Sequence, residues 1–520
     1  MYRVFAATAA LALALLACMR SQPEVIVVTA TFQPSQELPA VPPDDQDYPV
    51  QILSPVPAAP LSYPTPDPPR LIPDSAGREY VVQPGDTLYG IALAHGTSLE
   101  TLLAANSLPD PNQLSVGQTI VLPGPPDGRT SDFKIIPDSR LVRGPGAGRF
   151  DVHAFVRQQP GYIRSASDEV KEETLTGADI VQRVSLEFSV DARLLLALLE
   201  YRGRWLSNPN PTDEVKQYPL GIQEYGGVDR SGLYKQLAWA ADQLNRGYYS
   251  WKYRGLSTLE FEDGLRLSYA PGINAGTVAL QYMLSRNTSY TEWEEQVGPQ
   301  GLYATYVAYF GDPFANPVEP LVPRVIEQPT LTLPFASGET WFFTGGPHGG
   351  WGSGSAWAAV DFAPPDERSA GSAACYTSEF WVTATAPGVI ARSDEGSVVL
   401  DLDGDGDETT GWTVLFLHIA SEDRIAAGTQ VQIGDRIGHP SCEGGFSNAT
   451  HMHIARRYNG EWIPVACDVC LSEHPVPPFL MSGWTVYGYP NQEYQGYMLN
   501  GSERRNAEQG RLSPDNRVSW

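Results

Sequence analysis

The spacing of apolar residues changes several times along the chain, and each change marks a segment. Behind Arg3, Val4 to Ala17 is an apolar run, too short for a typical membrane span and suited to the hydrophobic region of a signal peptide. Residues 19–78 have no apolar period and are dominated by Pro with Ser, Asp and Gln, which predicts an extended spacer without a fold. At Glu79 the pattern becomes strand-like, then Leu88, Ile91 and Ala92 take the i, i+3, i+4 spacing of a one-sided helix from Leu88 to His95. A second short helix, Ser98 to Asn106, and a strand near Leu114–Pro123 complete a βααβ order. Residues 125–150, rich in Gly, Pro and Arg, read as a linker.

The segment 151–325 reads as a mostly α-helical domain. Its clearest stretch is Ile180 to Glu200, where Val190-Asp191 separates two helices and Leu194 to Leu199 is apolar all round, the mark of a helix buried in a core. From 330 to 475 short apolar runs recur between Gly, Pro and Asp turns: Trp381–Ala386, Gly388–Ala391, Ser397–Leu402, Trp412–His418 and Gln430–Ile433. That is the pattern of an antiparallel β domain. In Asn448–Ile454, strand alternation sends His451 and His453 to one face and Met452 and Ile454 into a core. Residues 476–520 form an aromatic, then polar, C-terminal extension in which little is legible.

Composition sharpens this multidomain outline. A net charge of -25 over 520 residues argues against nucleic acid as a partner. The apolar leader ends in Leu15-Leu16-Ala17-Cys18, which resembles a bacterial lipobox, although Leu16 is bulkier than the small residue usual there. The resemblance implies lipidation of Cys18 and membrane attachment through that lipid; an ordinary cleaved signal is the alternative. Cys375, Cys442, Cys467 and Cys470 remain, an even number that in an exported chain suggests disulfides with three pairings open. Cys467-x-x-Cys470 also has the spacing of half a metal knuckle, but no second such pair accompanies it.

The βααβ module, residues 79–124, carries Tyr80-x-Val-x-x-Gly85-Asp86-Thr87-Leu88, Ala-Asn106 at the end of the second helix, and Leu114-x-x-Gly117-Gln118-x-Ile120-x-Leu122-Pro123. These motifs resemble a LysM domain. The resemblance implies binding of the N-acetylglucosamine chains of peptidoglycan or chitin in a shallow groove, with Gly85, Asp86, Thr87 and Leu88 on one side and Asn106 to Pro109 on the other. Asp86 and Thr87 also suit a cap and a turn.

In the helical segment, Glu200 closes the buried helix ahead of Tyr201-Arg202-Gly203-Arg204-Trp205. With Tyr218-Pro219-Leu220-Gly221-Ile222-Gln223 and the helical run Ile273–Tyr282, it faintly resembles lytic transglycosylases of the lysozyme superfamily. That resemblance implies Glu200 as a glycosidic acid, its proton retained by burial. The Gly221–Gln223 motif is shorter than the family's, and an ion pair from Glu200 to Arg202 or Arg204 in a helical spacer is the simpler expectation.

Six of the eight histidines lie beyond residue 340. His348 sits in the glycine-rich Thr344–Gly350, expected as a flexible loop, and Asp361 interrupts the apolar strand Ala358–Phe362, where an uncompensated carboxylate is costly. His348, Asp361 and His453 would supply two nitrogens and one oxygen, the three protein ligands of a catalytic zinc. With His418 at a strand end, Val431-x-x-Gly434-x-x-Ile437-Gly438 and the closing His451-x-His453, this region resembles zinc endopeptidases of the lysostaphin and LytM type. In most members the first two ligands stand four positions apart, where this chain has Trp357; the longer spacing to Asp361 is similar to the β-lytic branch. The resemblance implies one Zn2+ on His348, Asp361 and His453, His451 as general base, and His418 as a hydrogen-bond donor to the tetrahedral oxyanion or the leaving amine.

Asp401, Asp403 and Asp405 open like a calcium loop, but Trp412 stands at position twelve. An acidic hairpin tip is the simpler expectation, with Ca2+ as the alternative. Together these features predict an exported, zinc-dependent peptidoglycan endopeptidase held on glycan by the LysM module. A non-catalytic wall-binding lipoprotein that activates or localises another hydrolase is the rival.

Overall fold

The computed structural model describes residues 79–94, 99–106, 108, 114–122, 128–262, 264–366, 373–465, 476–490, 492–511 and 513–520. The apolar leader with Cys18, the Pro-rich segment, Pro109, Cys467 and Cys470 lie outside them. No helix among the described residues is long and apolar enough to cross a membrane.

The first module is the expected βααβ unit. Strand Glu79–Val81 pairs antiparallel with Thr119–Val121, and helices Leu88–Ala94 and Leu99–Ala104 come between them. Thr87 caps the first helix by accepting from Gly90 N (3.0 Å), and Leu88, Ile91, Leu102 and Ile120 form the core.

Helices Gly177–Phe188, Ala192–Gly203, Leu233–Tyr253, Ala275–Leu284 and Leu302–Phe310 make up most of the middle domain. The break between the first two falls where expected: Asp191 caps the second helix, and Leu194 to Leu199 are buried. Residues 125–150 were expected as a linker, and from Gly128 onward they are instead part of this domain. Gly128–Arg129 pairs parallel with Arg266–Ser268, and Ile135, Ile136, Leu141 and Val142 are buried. Their backbone is held from far along the chain, with Ile135 N donating to Thr277 Oγ1 (2.9 Å) and Asn274 Nδ2 to Ile136 O (2.7 Å). Apolar pairs this short have no period from which the burial can be read.

Beyond residue 330 the chain builds an antiparallel sheet. Its strands run, in spatial order, Gln430–Val431, Gly388–Asp394, Ser397–Asp401, Trp412–Leu417, Met452–Tyr458, Ala359–Ala363, Trp341–His348 and Arg517–Val518, with Glu461–Trp462 paired to Met452–Tyr458. The two faces bury different partners. Val398, Leu400, Phe416, Met452 and Ile454 pack into a core with Phe335, Phe479 and Trp484. Val399, Leu415, Leu417 and Ala455, on the opposite pleat, join the core of the helical domain.

Two expectations change here. Thr344–Gly350 is not a free loop, because residues through His348 belong to a bulged strand. Residues 476–520 are not an appendage: they form a four-stranded antiparallel sheet and supply Met481, Trp484, Met498 and Val518 to the second core. The tail read as uninformative because its strands mix aromatic and polar residues without clean alternation.

Glu408 ties the helical domain to the sheet. It is 7% exposed and accepts from Arg392 (3.1 Å) and Arg457 (2.9 Å) of the sheet, with Arg143 of the helical domain at 3.1 Å. Burial opposes its ionisation, but the three guanidiniums outweigh that and hold its carboxyl far below the usual range. Glu408→Ala would leave the Arg143 and Arg457 guanidiniums without this carboxylate and Arg392 with Asp394 alone, and should cost about 3–5 kcal/mol in denaturant unfolding. Because the folded-state pKa is depressed, the stabilisation in the native chain is present above the unfolded value of about 4.3 and is lost as pH falls below it. Unfolding of native chain and variant should therefore converge on acidification.

Candidate metal centre

Strand register brings the three predicted ligands together. Asp361 stands directly opposite His453 across one ladder and opposite Gly345 across the next, and with a register shift on either side of Gly345 the strand brings His348 to the same spot. The ligating atoms form a small triangle: His348 Nε2 to His453 Nδ1 is 2.9 Å, His348 Nε2 to Asp361 Oδ1 3.2 Å, and His453 Nδ1 to Asp361 Oδ1 3.3 Å. All three residues are buried.

Backbone carbonyls settle which ring nitrogen is protonated, since a carbonyl only accepts. His348 Nδ1 donates to Gly346 O (2.8 Å) and His453 Nε2 to Gly350 O (3.1 Å), so in the neutral rings the inward-facing nitrogens are lone pairs. Asp361 Oδ1 is buried and accepts no hydrogen bond. Three acceptors therefore face one another without a donor between them, a set that calls for a cation. A tetrahedral zinc with ligands at about 2.0–2.1 Å spaces its ligand atoms roughly 3.3 Å apart, close to the triangle seen here.

His451 and His418 complete the cluster. His451 Nδ1 donates to Ala449 O (2.8 Å) and its Nε2 lies 3.7 Å from Asp361 Oδ1. His418, at φ +66°, donates from Nδ1 to Glu443 O (2.8 Å), and its ring lies 4.5 Å from that of His451. Burial lowers His418 to about 3, with His451 and His453 adding to the effect.

Other features of the site could not be read beforehand. Tyr494 stacks on His348 with centroids 4.3 Å apart and planes 18° apart, and Gly349 N donates to Glu493 Oε1 (3.2 Å). Both come from the C-terminal sheet, where the recurring tyrosines were the only available signal. Trp357, at the usual place of a second ligand, instead packs against the Arg254 guanidinium, 4.3 Å from its ring centroid. A disulfide joins Cys375 to Cys442, one residue before the Glu443 carbonyl that orients His418.

The remaining predicted residues lie elsewhere. Glu200 accepts from Leu206 N (2.9 Å), Ser207 N (3.1 Å) and Ser207 Oγ (2.6 Å). Both oxygens are engaged in tying the turn after its helix. Asp401 accepts from the backbone of Asp403, Gly404 and Gly406, and Asp405 from Asp407, and carboxylate oxygens of Asp401, Asp403 and Asp405 lie within 4.8 Å of one another at this hairpin tip. In the first module Leu88 is 5% exposed and belongs to the core rather than a groove. Asp86 accepts from Tyr80 and Gln83, and Asn106 clips the second helix to Val121, which leaves Gly85 and Thr87 as the exposed members of the predicted groove.

Family models match two parts of the chain: LysM domain over residues 80–123, and LasA, N-terminal domain, over residues 134–322. The latter match takes the place of the lytic-transglycosylase resemblance and includes most of the supposed linker. An N-acetylmuramoyl-L-alanine amidase, XlyB of Bacillus subtilis (strain 168), is 51% identical over 49 residues, 9% of this chain; the chain spans only 16% of that relative's length. Among solved structures, the M23 metalloprotease pseudoalterin is 23% identical, covering 35% of this chain and 96% of its own, with a TM-score of 0.27. The catalytic domain of the antimicrobial peptidase lysostaphin from Staphylococcus simulans is 22% identical, covering 24% and 81%, with a TM-score of 0.17.

Gly345 provides a test of the centre in which no candidate ligand is itself substituted. A Cβ there would lie 2.4 Å from Asp361 Oδ2, so Gly345→Ala must push the carboxylate aside. Metal affinity, measured by chelator competition, should fall by about 10–100-fold, as when an outer support of a ligand is lost.

Proposed function

We propose that this chain is an exported zinc-dependent peptidoglycan hydrolase that cuts the peptide stems or cross-links of the wall. The observation that carries the reading is the buried triangle of His348, Asp361 and His453, three acceptor atoms with no donor among them. Zinc held there supplies Lewis acidity toward a peptide carbonyl and acidifies a water near neutral pH. The chain's own side chains do the rest. His451, whose Nε2 is a lone pair facing Asp361, takes the proton of the attacking water.

His418 works differently from the first expectation. With Nδ1–H bound to Glu443 O and the ring held neutral, its Nε2 has no hydrogen to donate to an oxyanion. It donates only after accepting a proton, which suits delivery of that proton to the departing amine. The adjacent rings of His418 and His451 form a pair through which a proton passes from water to leaving group.

The LysM domain places the wall substrate, with N-acetylglucosamine chains as its ligand and Gly85 and Thr87 as exposed contacts. The lipobox-like sequence ending at Cys18 assigns the protein to the outer face of the membrane through a lipid anchor. Turbidity clearing of purified peptidoglycan by the full chain, with and without a chelator, tests the reading, and mass spectrometry of the products identifies the bond cut. Zinc bound at one per chain with no clearing would overturn it in favour of a non-catalytic wall-binding protein. His451→Ala should keep its zinc and lose about 10²–10⁴-fold in rate.

A further inference from the structure

The neighbours that hold His418 and His451 lead back to one short stretch of chain, Ala374–Tyr376. On the His418 side the link is covalent, since Cys375 is bonded to Cys442, which stands between Ser441 and Glu443. Both of those residues hold His418. Ser441 N and Oγ donate to the His418 carbonyl (2.7 and 3.1 Å), and the Glu443 carbonyl accepts from His418 Nδ1. On the His451 side the link runs through Thr450, which is 2% exposed. Thr450 N donates to Ala374 O (2.9 Å), its Oγ1 donates to Tyr376 O (2.6 Å), and the same Oγ1 accepts from Tyr376 N (2.8 Å).

The stretch is itself fixed to the strand that carries Asp361. Asp366, just beyond the strand Ala359–Ala363, accepts from Tyr376 Oη (3.0 Å), Ser378 Oγ (2.7 Å) and Glu379 N (3.3 Å). Ser378 N also donates to Pro440 O (2.9 Å), a second tie close to Cys442. The metal ligands are supported from elsewhere: His348 by Gly346 O, His453 by Gly350 O, and Asp361 by its place opposite His453. Cys375 is exposed, so its bond to Cys442 fills no core. It joins the backbone on either side of two rings that stand 4.5 Å apart.

We infer that Ala374–Tyr376 is a positioning clamp for the His418–His451 pair, in which the Cys375–Cys442 bond sets the aim of His418 and the Thr450 hydroxyl sets the aim of His451, separately from the metal. The inference rests on the hydrolase reading above for what the pair does, and on the disulfide and hydrogen bonds alone for how the pair is held. A proton passes between two rings only while both keep their orientation, so loosening either side lowers the rate and leaves zinc in place.

In the full chain, Thr450→Val keeps the size of the side chain and removes both hydroxyl bonds. It should keep native zinc affinity in chelator competition and lower kcat on purified peptidoglycan by about tenfold at constant KM, part of the roughly 10²-fold cost of a ~1 Å misplacement. Thr450→Ser keeps the hydroxyl and should recover most of the rate. Cys375→Ser combined with Cys442→Ser should act like Thr450→Val on both kcat and zinc. Hydrogen exchange, which needs no turnover, should be faster at Ser441 and Glu443 in the cysteine variant and at position 450 in the valine variant, with Met452–Tyr458 as protected as in the native chain.

Native kcat in both variants, with a lower Tm, would make the clamp a structural staple and overturn the inference. A loss of zinc affinity along with the rate would also overturn it, because the stretch would then support the metal ligands. So would a Thr450→Ser variant as slow as Thr450→Val. If the unsubstituted chain binds zinc and fails to clear peptidoglycan, the hydrolase reading fails; hydrogen exchange then decides the clamp, and native exchange in both variants overturns it.

Discussion

Three acceptor atoms within 3.3 Å of one another, buried and without a donor, are the constraint around which the C-terminal half is built. Such an arrangement repels itself unless a cation is shared, so the surrounding fold must supply the energy to hold it. It does so through register. Asp361 and His453 are locked opposite each other in the middle of an antiparallel ladder, where a slip of one residue would send each side chain to the wrong face. His348 arrives by a bulged strand whose glycine leaves room for the carboxylate. Backbone carbonyls then fix all four imidazoles in one tautomer each, with a lone pair pointing inward.

The sheet that carries these residues is sandwiched. Its two faces complete two different cores, and His453 lies on the same pleat as Ala455, which packs into the helical domain. The helical segment is therefore more than a spacer between the first module and the sheet that carries the histidines. Without it, Val399, Leu415, Leu417 and Ala455 would present an apolar face to water, and the buried Glu408 carboxylate would lose Arg143. The C-terminal sheet and the helical domain behave as one folding unit in this sense, although composition suggests two.

Legibility followed the range of the interactions. The LysM module was read almost to the residue because its strands, caps and core lie within about fifty positions, and local rules of period and capping apply. The strands near the site were legible for the same reason, and His-x-His on an alternating strand pointed to His451 and His453 before any partner was known. What was missed depends on partners far away in sequence. Ile135 and Ile136 are held by Thr277 and Asn274, and Tyr494 covers His348 from a tail with no clear alternation. Glu200 shows the converse error. A carboxylate at the end of a buried helix is visible in the sequence, but the turn that brings Leu206 and Ser207 back onto it is not.

The seam between the domains is not purely apolar, and its polar part bears on the site. Glu461 is fully buried in the short strand paired to the His453 strand, and it receives Lys252 Nζ, Tyr248 Oη and Tyr253 Oη from the last turns of the long helix. An ion pair so deeply buried contributes little net stability compared with apolar packing of the same volume. Its value lies in discrimination, because a shift of the helix along the sheet would strand a charge in a dry interior at high cost. An apolar seam tolerates sliding; this one does not.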